Sequence, residues 1–300
     1  MNPMRIECEQ LANGGRLDWN GRGREREDDA LRAVLGRGRG CVLYGERLPA
    51  MVIVPLRGRL QLSDGETART LTSGEAQVVE LGQSLQVVGR GPALWIAVLL
   101  PASGWQRLVA DVTGEPLAAA GLLPALHAAD HSVRRAALRL VRAAASNDAR
   151  QALAAASVFA LLISELQAEL RPLIERCAGR TDAQRRNVFL RLQRVRNYMS
   201  ACCHLDVDIA HFARMASYSP CHFIRAFSAV YGETPHALLI EQRLRRARRL
   251  VNDSALAITE VARASGFENR CAFSRSFKRR FGVSATDLRT GGAGMSTVAA

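Results

Sequence analysis

Between residues 41 and 100 apolar positions recur with a period of two, the spacing of strands that turn one face inward. Segments 41–44, 51–56, 59–62, 76–80, 85–88 and 94–100 predict short strands separated by turn residues. Asp64-Gly65 marks a tight hairpin, because glycine accepts the positive φ of such turns. Six or more strands at this spacing predict a small antiparallel barrel. After residue 117 the period becomes helical. Val133, Ala137 and Leu140 share one face of a first helix, and Ala156, Phe159, Ile163, Leu166, Leu170, Leu173 and Cys177 step by three and four along a second. That stripe suits either the chain's own barrel or a partner helix, including the same helix of a second copy. Pro172 is expected to kink or end the helix, since it lacks a backbone donor. Residues 177–182 read as a linker. Residues 1–40, with the charged run at 20–29 and Gly-Arg repeats at 36–40, read as a mobile arm.

The strand region, through GRLQLSDG (58–65) and LTSGEAQVV (71–79), resembles a cupin barrel. Metal-dependent members hold their ion with histidines and a carboxylate. Here no histidine precedes His127, and the segment QSLQ at 83–86 has none where the last metal histidine usually sits. The barrel therefore reads as a ligand pocket or a dimerisation module, with Tyr44, Arg57 and Trp95 as candidates to line an effector site. No cofactor or metal is expected.

The last hundred residues contain an internal repeat, which outranks local propensity as a guide to architecture. Ile209, Ala213 and Arg214 match Ile258, Ala262 and Arg263 at a separation of 49; Phe223, Arg225, Phe227, Tyr231 and Gly232 match Phe273, Arg275, Phe277, Phe281 and Gly282 at 50. Each copy reads as helix, tight turn, helix. Ser219-Pro220 and Asn269 begin the second helices, and Gly232 and Gly282 stop them. A long Arg-rich helix, 235–251, joins the copies. On each second helix the phenylalanines at i and i+4 are expected to be buried. That leaves Cys221, His222, Ile224 and Arg225 outward in the first copy, and Arg270, Cys271, Ser274 and Arg275 in the second. A helix-turn-helix places its second helix in the major groove, where arginine can make a bidentate contact with guanine. Two joined units would read successive grooves of one double-stranded DNA face. Arg191, Arg194, Arg196, Lys278, Arg279 and Arg280 are placed for phosphate, which sets affinity and register without sequence.

Charge agrees with this division. The chain carries 41 basic and 28 acidic residues, a net +13. Residues 180–290 hold 20 of the basic and 9 of the acidic ones, so nearly all the excess lies in the last third. Such asymmetry points to a polyanionic partner. Only Lys278 is lysine, a bias of codon usage rather than of phosphate recognition.

Residues 185–290 resemble the DNA-binding domain of AraC/XylS-type transcriptional regulators. The resemblance is carried by Ile209-Ala210, Ala213, Ser219-Pro220, Phe223, Arg225, Phe227, Gly232, Pro235, Arg243, Ala247, Leu250, Ile258, Val261-Ala262, Gly266-Phe267, Phe273, Arg275, Phe277-Lys278 and Phe281-Gly282. It implies an all-α domain of seven helices, an N-terminal barrel for effector binding or dimerisation, and activation through RNA polymerase. The sequence departs from the family in Pro220-Cys221, in Ile224 where a polar base-reader is usual, and in Ser284-Ala285 at the ending. Ile224 suggests that the first unit reads thymine methyl groups or mainly positions the protein.

The expected chain is α+β. Its divisions are an arm (1–40), a cupin-like antiparallel β-barrel (41–112), linking and dimerisation helices (113–180), a DNA-binding domain (185–290) and a flexible tail (291–300). The expected product is a cytoplasmic homodimeric regulator, not an enzyme, with a small-molecule effector and no membrane partner. The longest apolar run, 93–100, is too short to span a bilayer, and residues 1–10 have no apolar leader core. The histidines fit no catalytic triad, and no phosphate-binding G-x-x-x-x-G-K motif occurs. The cysteines lack metal-ligand spacing and read as small buried hydrophobes. The competing class is a ligand-binding protein whose basic domain coats nucleic acid non-specifically or docks a partner protein.

Overall fold

The computed structural model describes residues 4–19, 30–65, 67–79, 82, 84–114, 121–146 and 148–295, the last five as backbone only. The chain divides into two units, Met1–Gln193 and Arg194–Ala300. The division falls inside a helix, not in the linker expected at 177–182.

The first unit contains β1 (Ile6–Leu11), β2 (Arg16–Asp18), β3 (Leu31–Gly38), β4 (Val42–Gly45), β5 (Ala50–Ser63), β6 (Ala68–Thr72), β7 (Glu75–Val79) and β8 (Leu85–Leu100). There follow α1 (Ala102–Thr113), β9 (Leu126–Ala128), α2 (His131–Ala145), α3 (Ala149–Leu166), a 3-10 turn (Ala168–Leu170) and α4 (Arg171–Glu175). The described strands form one mixed sheet of order β1-β3-β8-β5-β7-β9, with β4 paired to β8, β2 to β4 and β6 to β5. It is not wholly antiparallel: β1 runs parallel to β3, and β2 to β4.

Strands β5 and β8 explain the long apolar runs. Side chains alternate across a strand, and here both faces are buried. Val52, Val54, Ile96, Val98 and Leu100 join one core with Trp105 and Phe159 of the covering helices. Met51, Ile53, Trp95, Ala97 and Leu99 join a second core on the opposite face. Segments 51–56 and 59–62 prove to be one strand interrupted by register shifts around Arg57. Gly58 sits there at φ +83°, and a Cβ on it would lie 2.6 Å from the carbonyl oxygen of Pro92.

Part of the expected arm is built into the sheet as β1, β2 and β3. Arg32 is buried in β3 with its Nε 3.2 Å from the Glu7 carboxylate of β1. That pairing lets a charged residue sit inside. The run 20–29 lies outside the described residues, as do 296–300 of the expected tail; Gly291–Met295 continue the final helix.

The helical stripe faces inward. Ala156, Phe159 and Ile163 of α3 pack into the sheet core beside Trp105, so these positions are not available to a partner helix. Helix α3 ends at Leu166, and Pro172 opens α4, where a missing backbone donor costs nothing. The helical segment Ala149–Glu175 is long and apolar enough to cross a membrane by length and composition. Its buried side is the covering layer of the sheet, the setting of a core helix.

Helix α5 (Asp182–Cys202) crosses the division. The second unit continues with α6 (Ile209–Met215), α7 (Pro220–Tyr231), α8 (Pro235–Asp253), α9 (Ile258–Ala264), α10 (Arg270–Phe281) and α11 (Ala285–Met295).

Candidate nucleic-acid interface

Each repeat folds as two helices about a tight turn, α6 with α7 and α9 with α10. Asp208 caps α6 by accepting a hydrogen bond from the His211 backbone at 2.7 Å. In the turn the first copy holds Ser217 at φ +57°, and the second holds Gly266 at φ +88°. Both copies need a left-handed residue here, which glycine adopts freely and serine only under strain. Gly266 has a further reason: a Cβ there would lie 2.9 Å from the carbonyl oxygen of Cys203.

The second helices are anchored by matching aromatic ladders. Ring centroids of Phe223 and Phe227 lie 5.5 Å apart, and those of Phe227 and Tyr231 4.6 Å. The second copy gives 5.4 Å for Phe273–Phe277 and 4.7 Å for Phe277–Phe281. Phe223, Phe227, Phe273 and Phe277 are fully buried. Gly232 and Gly282, at φ +73° and +78°, close α7 and α10 in left-handed caps. Asn269 caps α10, accepting from the Cys271 and Ala272 backbones at 2.8 and 3.1 Å. Ser219 occupies the same position before α7 but makes no side-chain cap bond.

This anchoring turns the opposite face outward. Cys221, His222, Ile224 and Arg225 on α7 are exposed, as are Arg270, Cys271, Ser274 and Arg275 at and after the start of α10. His222 lies against Tyr218, ring centroids 4.5 Å apart. Ile224 is a large apolar side chain that stands 37% exposed. Cys221 and Cys271 depart from the expectation of buried thiols, whereas Cys203 is buried and its thiol pKa is pushed up by desolvation.

The basic residues differ in their surroundings. Several are engaged inside the second unit. Arg280 donates to the Glu241 carboxylate at 2.7 and 2.9 Å, and Arg245 donates to the same carboxylate at 2.7 Å. The Arg280 contact, helped by the Arg245 bond and opposed by desolvation, leaves the Glu241 carboxyl below its ordinary pKa. Arg196 lies over the Tyr231 ring at 5.0 Å, and Arg248 over Phe281 at 5.2 Å, so each ladder ends beneath a guanidinium. Arg243 donates to the Cys203 and Leu205 carbonyls at 2.7 and 3.3 Å, satisfying acceptors past the end of α5. Arg246 donates to the Ala264 carbonyl of α9 at 3.0 Å. Arg194, Lys278 and Arg279 are exposed, and Arg191 is half-buried. Charge counting missed these internal contacts, for which Glu241, set just before the arginines of α8, was the sequence signal.

The three effector-site candidates do not converge. Trp95 is fully buried in the sheet core, so close to Gly36 that a Cβ on that glycine would meet the indole. Tyr44 and Arg57 are exposed, and the Tyr44 hydroxyl donates to Glu46 at 3.0 Å.

A family model described as a helix-turn-helix domain matches residues 212–291. The HTH-type transcriptional regulator GlxA of Rhizobium meliloti is 38% identical over 91 residues, 30% of this chain and 28% of that protein. The HTH-type transcriptional regulator ExsA of Pseudomonas aeruginosa is 28% identical over 100 residues, 33% of this chain and 36% of that protein. The C-terminal segment is an AraC-type helix-turn-helix domain. The match spans about a third of these relatives' length, from 28% to 36%. Among solved structures, the DNA-binding domain of AdpA in complex with a target DNA is 28% identical, covering 36% of this chain and 98% of that one at a TM-score of 0.34. Within the AraC-type domain, α7 and α10 are the second helices of its two units.

Proposed function

We propose that this chain is a sequence-specific, double-stranded-DNA-binding transcription regulator whose helices α7 and α10 enter successive major grooves. The observation that carries the reading is the repeated exposed face opposite each aromatic ladder, with Arg225 and Arg275 at matching positions. Arginine at such a site suits guanine O6 and N7, and the methyl-bearing edge of thymine suits Ile224. His222 and Cys221, with Arg270, Cys271 and Ser274 in the second unit, complete the base-reading set. Arg191, Arg194, Lys278 and Arg279 serve phosphate, while Arg196 and Arg280 serve chiefly to position the recognition helices.

In this reading the first unit is a cupin-like effector and dimerisation module in a cytoplasmic protein, and the regulator acts by contacting RNA polymerase. Leu153, Val158 and Leu161, exposed by 40%, 49% and 38% on the outer side of α3, support a homodimer through that side. Non-specific coating by a basic domain is the competing outcome.

The test is fluorescence anisotropy against duplexes tiled from the region upstream of the chain's own gene, with a scrambled duplex, at two salt concentrations. One tile is expected to bind roughly 10³-fold or more tighter than scrambled DNA. Equal binding to all duplexes with a steep salt slope would establish coating instead.

A further inference from the structure

The sheet face that buries Val54, Ile96 and Val98 under the helices becomes exposed and basic farther along the same strands. Leu94, two residues before Ile96, is in register with Arg37 of β3 on one side and with Arg57 of β5 on the other. Past the register shifts, Arg59 of β5 is the direct partner of Arg90 of β8. Residues paired across strands share a face. Leu60, Val87 and Trp95, which alternate with this set, belong to the inner core, so the arginines point outward, and Arg37, Arg57, Arg59 and Arg90 are all exposed.

Like charges directly opposite on an antiparallel pair, with Cβ atoms about 5 Å apart, repel and cost stability. Arg57 adds a third charge about 7 Å along β5, and Arg37 a fourth two strand spacings, about 10 Å, from Arg57. Among the described residues none of the four takes part in an ion pair. Arg90 donates through Nε and Nη2 to the Gln61 side-chain oxygen, a neutral acceptor that leaves its charge uncompensated. Acids of the adjoining strands and turns serve their own neighbours: Glu75 accepts from the Thr72 backbone and hydroxyl, each at 2.8 Å, and Asp64 from those of Thr67 at 2.7 and 2.9 Å. The repulsion between Arg59 and Arg90 is therefore unrelieved within the described fold.

An exposed contact with a small anion is worth little, because solvent and salt screen it. A polyanion differs: each phosphate neutralised releases condensed counterions, so several weak exposed contacts add up. In the reading above the second unit holds such a polyanion, and its tether raises the concentration of phosphate at the first unit. We infer that Arg37, Arg57, Arg59 and Arg90 form a second, sequence-independent DNA surface, which binds backbone phosphates of the duplex beside the segment read by α7 and α10. The inference rests on the regulator reading for its DNA. It makes Arg57 a phosphate contact on an open sheet face instead of the wall of an effector pocket.

The experiment follows anisotropy of the full chain on a duplex of about two turns, enough for α7 and α10, and on one extended at both ends. Each is made with the preferred tile and with scrambled sequence, and each is titrated across a salt series. The variant Arg57→Gln/Arg59→Gln/Arg90→Gln should bind the extended duplex roughly tenfold or more weakly at low salt, with a slope less steep by about 2–3, near 0.9 per phosphate contact. On the short duplex its loss should be small. Arg135→Gln/Arg139→Gln/Arg142→Gln removes the same charge from exposed positions of α2 and should keep the parental slope. Arg59→Gln alone should raise the thermal midpoint without DNA by relieving the like-charge pair; a lowered midpoint would mean that the fold compensates these charges, against the inference. Circular dichroism reports folding, and Arg57→Gln/Arg59→Gln replaces the first triple variant if that one fails to fold. An unchanged slope in the folded variant, or an equal change in the α2 variant, would overturn the surface. Loss of binding to poly-glutamate with DNA binding intact would reassign it to an acidic protein partner. A parent that prefers one tile while the variant keeps its slope refutes this surface alone. A parent without preference refutes the regulator reading, and the slope comparison on scrambled DNA still tests the surface.

Discussion

Arg280 of α10 grips Glu241 of α8 through two hydrogen bonds, 2.7 and 2.9 Å long. A residue that charge alone assigns to the phosphate backbone is thereby tied to its own domain, and α10 is fixed on α8. The Glu241 carboxyl titrates below its ordinary value of 4.5 because of that contact. The native state holds fewer protons than the unfolded chain near that pH, so the contribution is full above pH 4.5 and disappears as pH falls through the lowered value. Glu241→Gln should lower the thermal midpoint at pH 7, and the gap from the parent should close progressively as pH falls below 4.5. Thermal melts of both proteins from pH 3 to 7 check this; a pH-independent gap would refute it.

Base-reading and positioning arginines should separate in binding data. Arg275→Ala should cost about 1–3 kcal/mol on the preferred duplex and relax one base position, while Arg279→Ala should weaken all sequences alike and lower the salt slope by about one. Arg196→Gln should lower stability more than it alters the salt slope, because its guanidinium lies over Tyr231. Salt-dependent anisotropy with each variant decides the assignments. Equal losses for Arg275→Ala on preferred and random DNA would remove Arg275 from the reading set.

The aromatic ladders should dominate the stability of the second unit. Phe277→Ala removes a fully buried ring and should destabilise by about 3–5 kcal/mol. Phe227→Ala should act similarly in the first copy. Denaturant melts followed by circular dichroism give the values; a loss under about 1 kcal/mol would mean that the site collapses around the missing ring.

The two turns should respond differently to substitution. Gly266→Ala introduces a Cβ into a left-handed residue pressed on the Cys203 carbonyl, so a loss above about 1 kcal/mol is expected. Ser217 already occupies the left-handed region, and Ser217→Ala should therefore be nearly neutral. Chemical denaturation of both variants compares them, and a costly Ser217→Ala would show that its hydroxyl matters.

His127 gives the first unit a second pH dependence. It is buried, neither ring nitrogen has a hydrogen-bond partner among the described residues, and its Nδ1 lies 3.9 Å from Glu169. Desolvation lowers its pKa below 6.5, and the Glu169 charge opposes that shift. The native state thus favours neutral histidine: stability is full above pH 6.5 and is lost as pH falls through that value. His127→Leu should flatten the decline in stability between pH 7 and 5. An unchanged slope in thermal melts would place the acid sensitivity elsewhere.

The sequence by itself determined what depends on local pattern. The 49- and 50-residue offsets, the paired phenylalanines and the stopping glycines defined both helix-turn-helix units and the outward positions on α7 and α10. The period-two segments located β5, β7 and β8, since alternation survives whatever the strand packs against. Tertiary structure decided what depends on distant partners. Arg32 reads as part of a solvated arm until Glu7 is found across a parallel strand pair. Trp95 reads as a pocket wall until both faces of β8 are seen to be filled. Arg196 and Arg280 read as phosphate ligands from charge, and only the structure shows Tyr231 and Glu241 beside them. A guanidinium has the same charge and composition wherever it stands, and only the groups that the fold brings beside it determine whether it meets a partner molecule or its own domain.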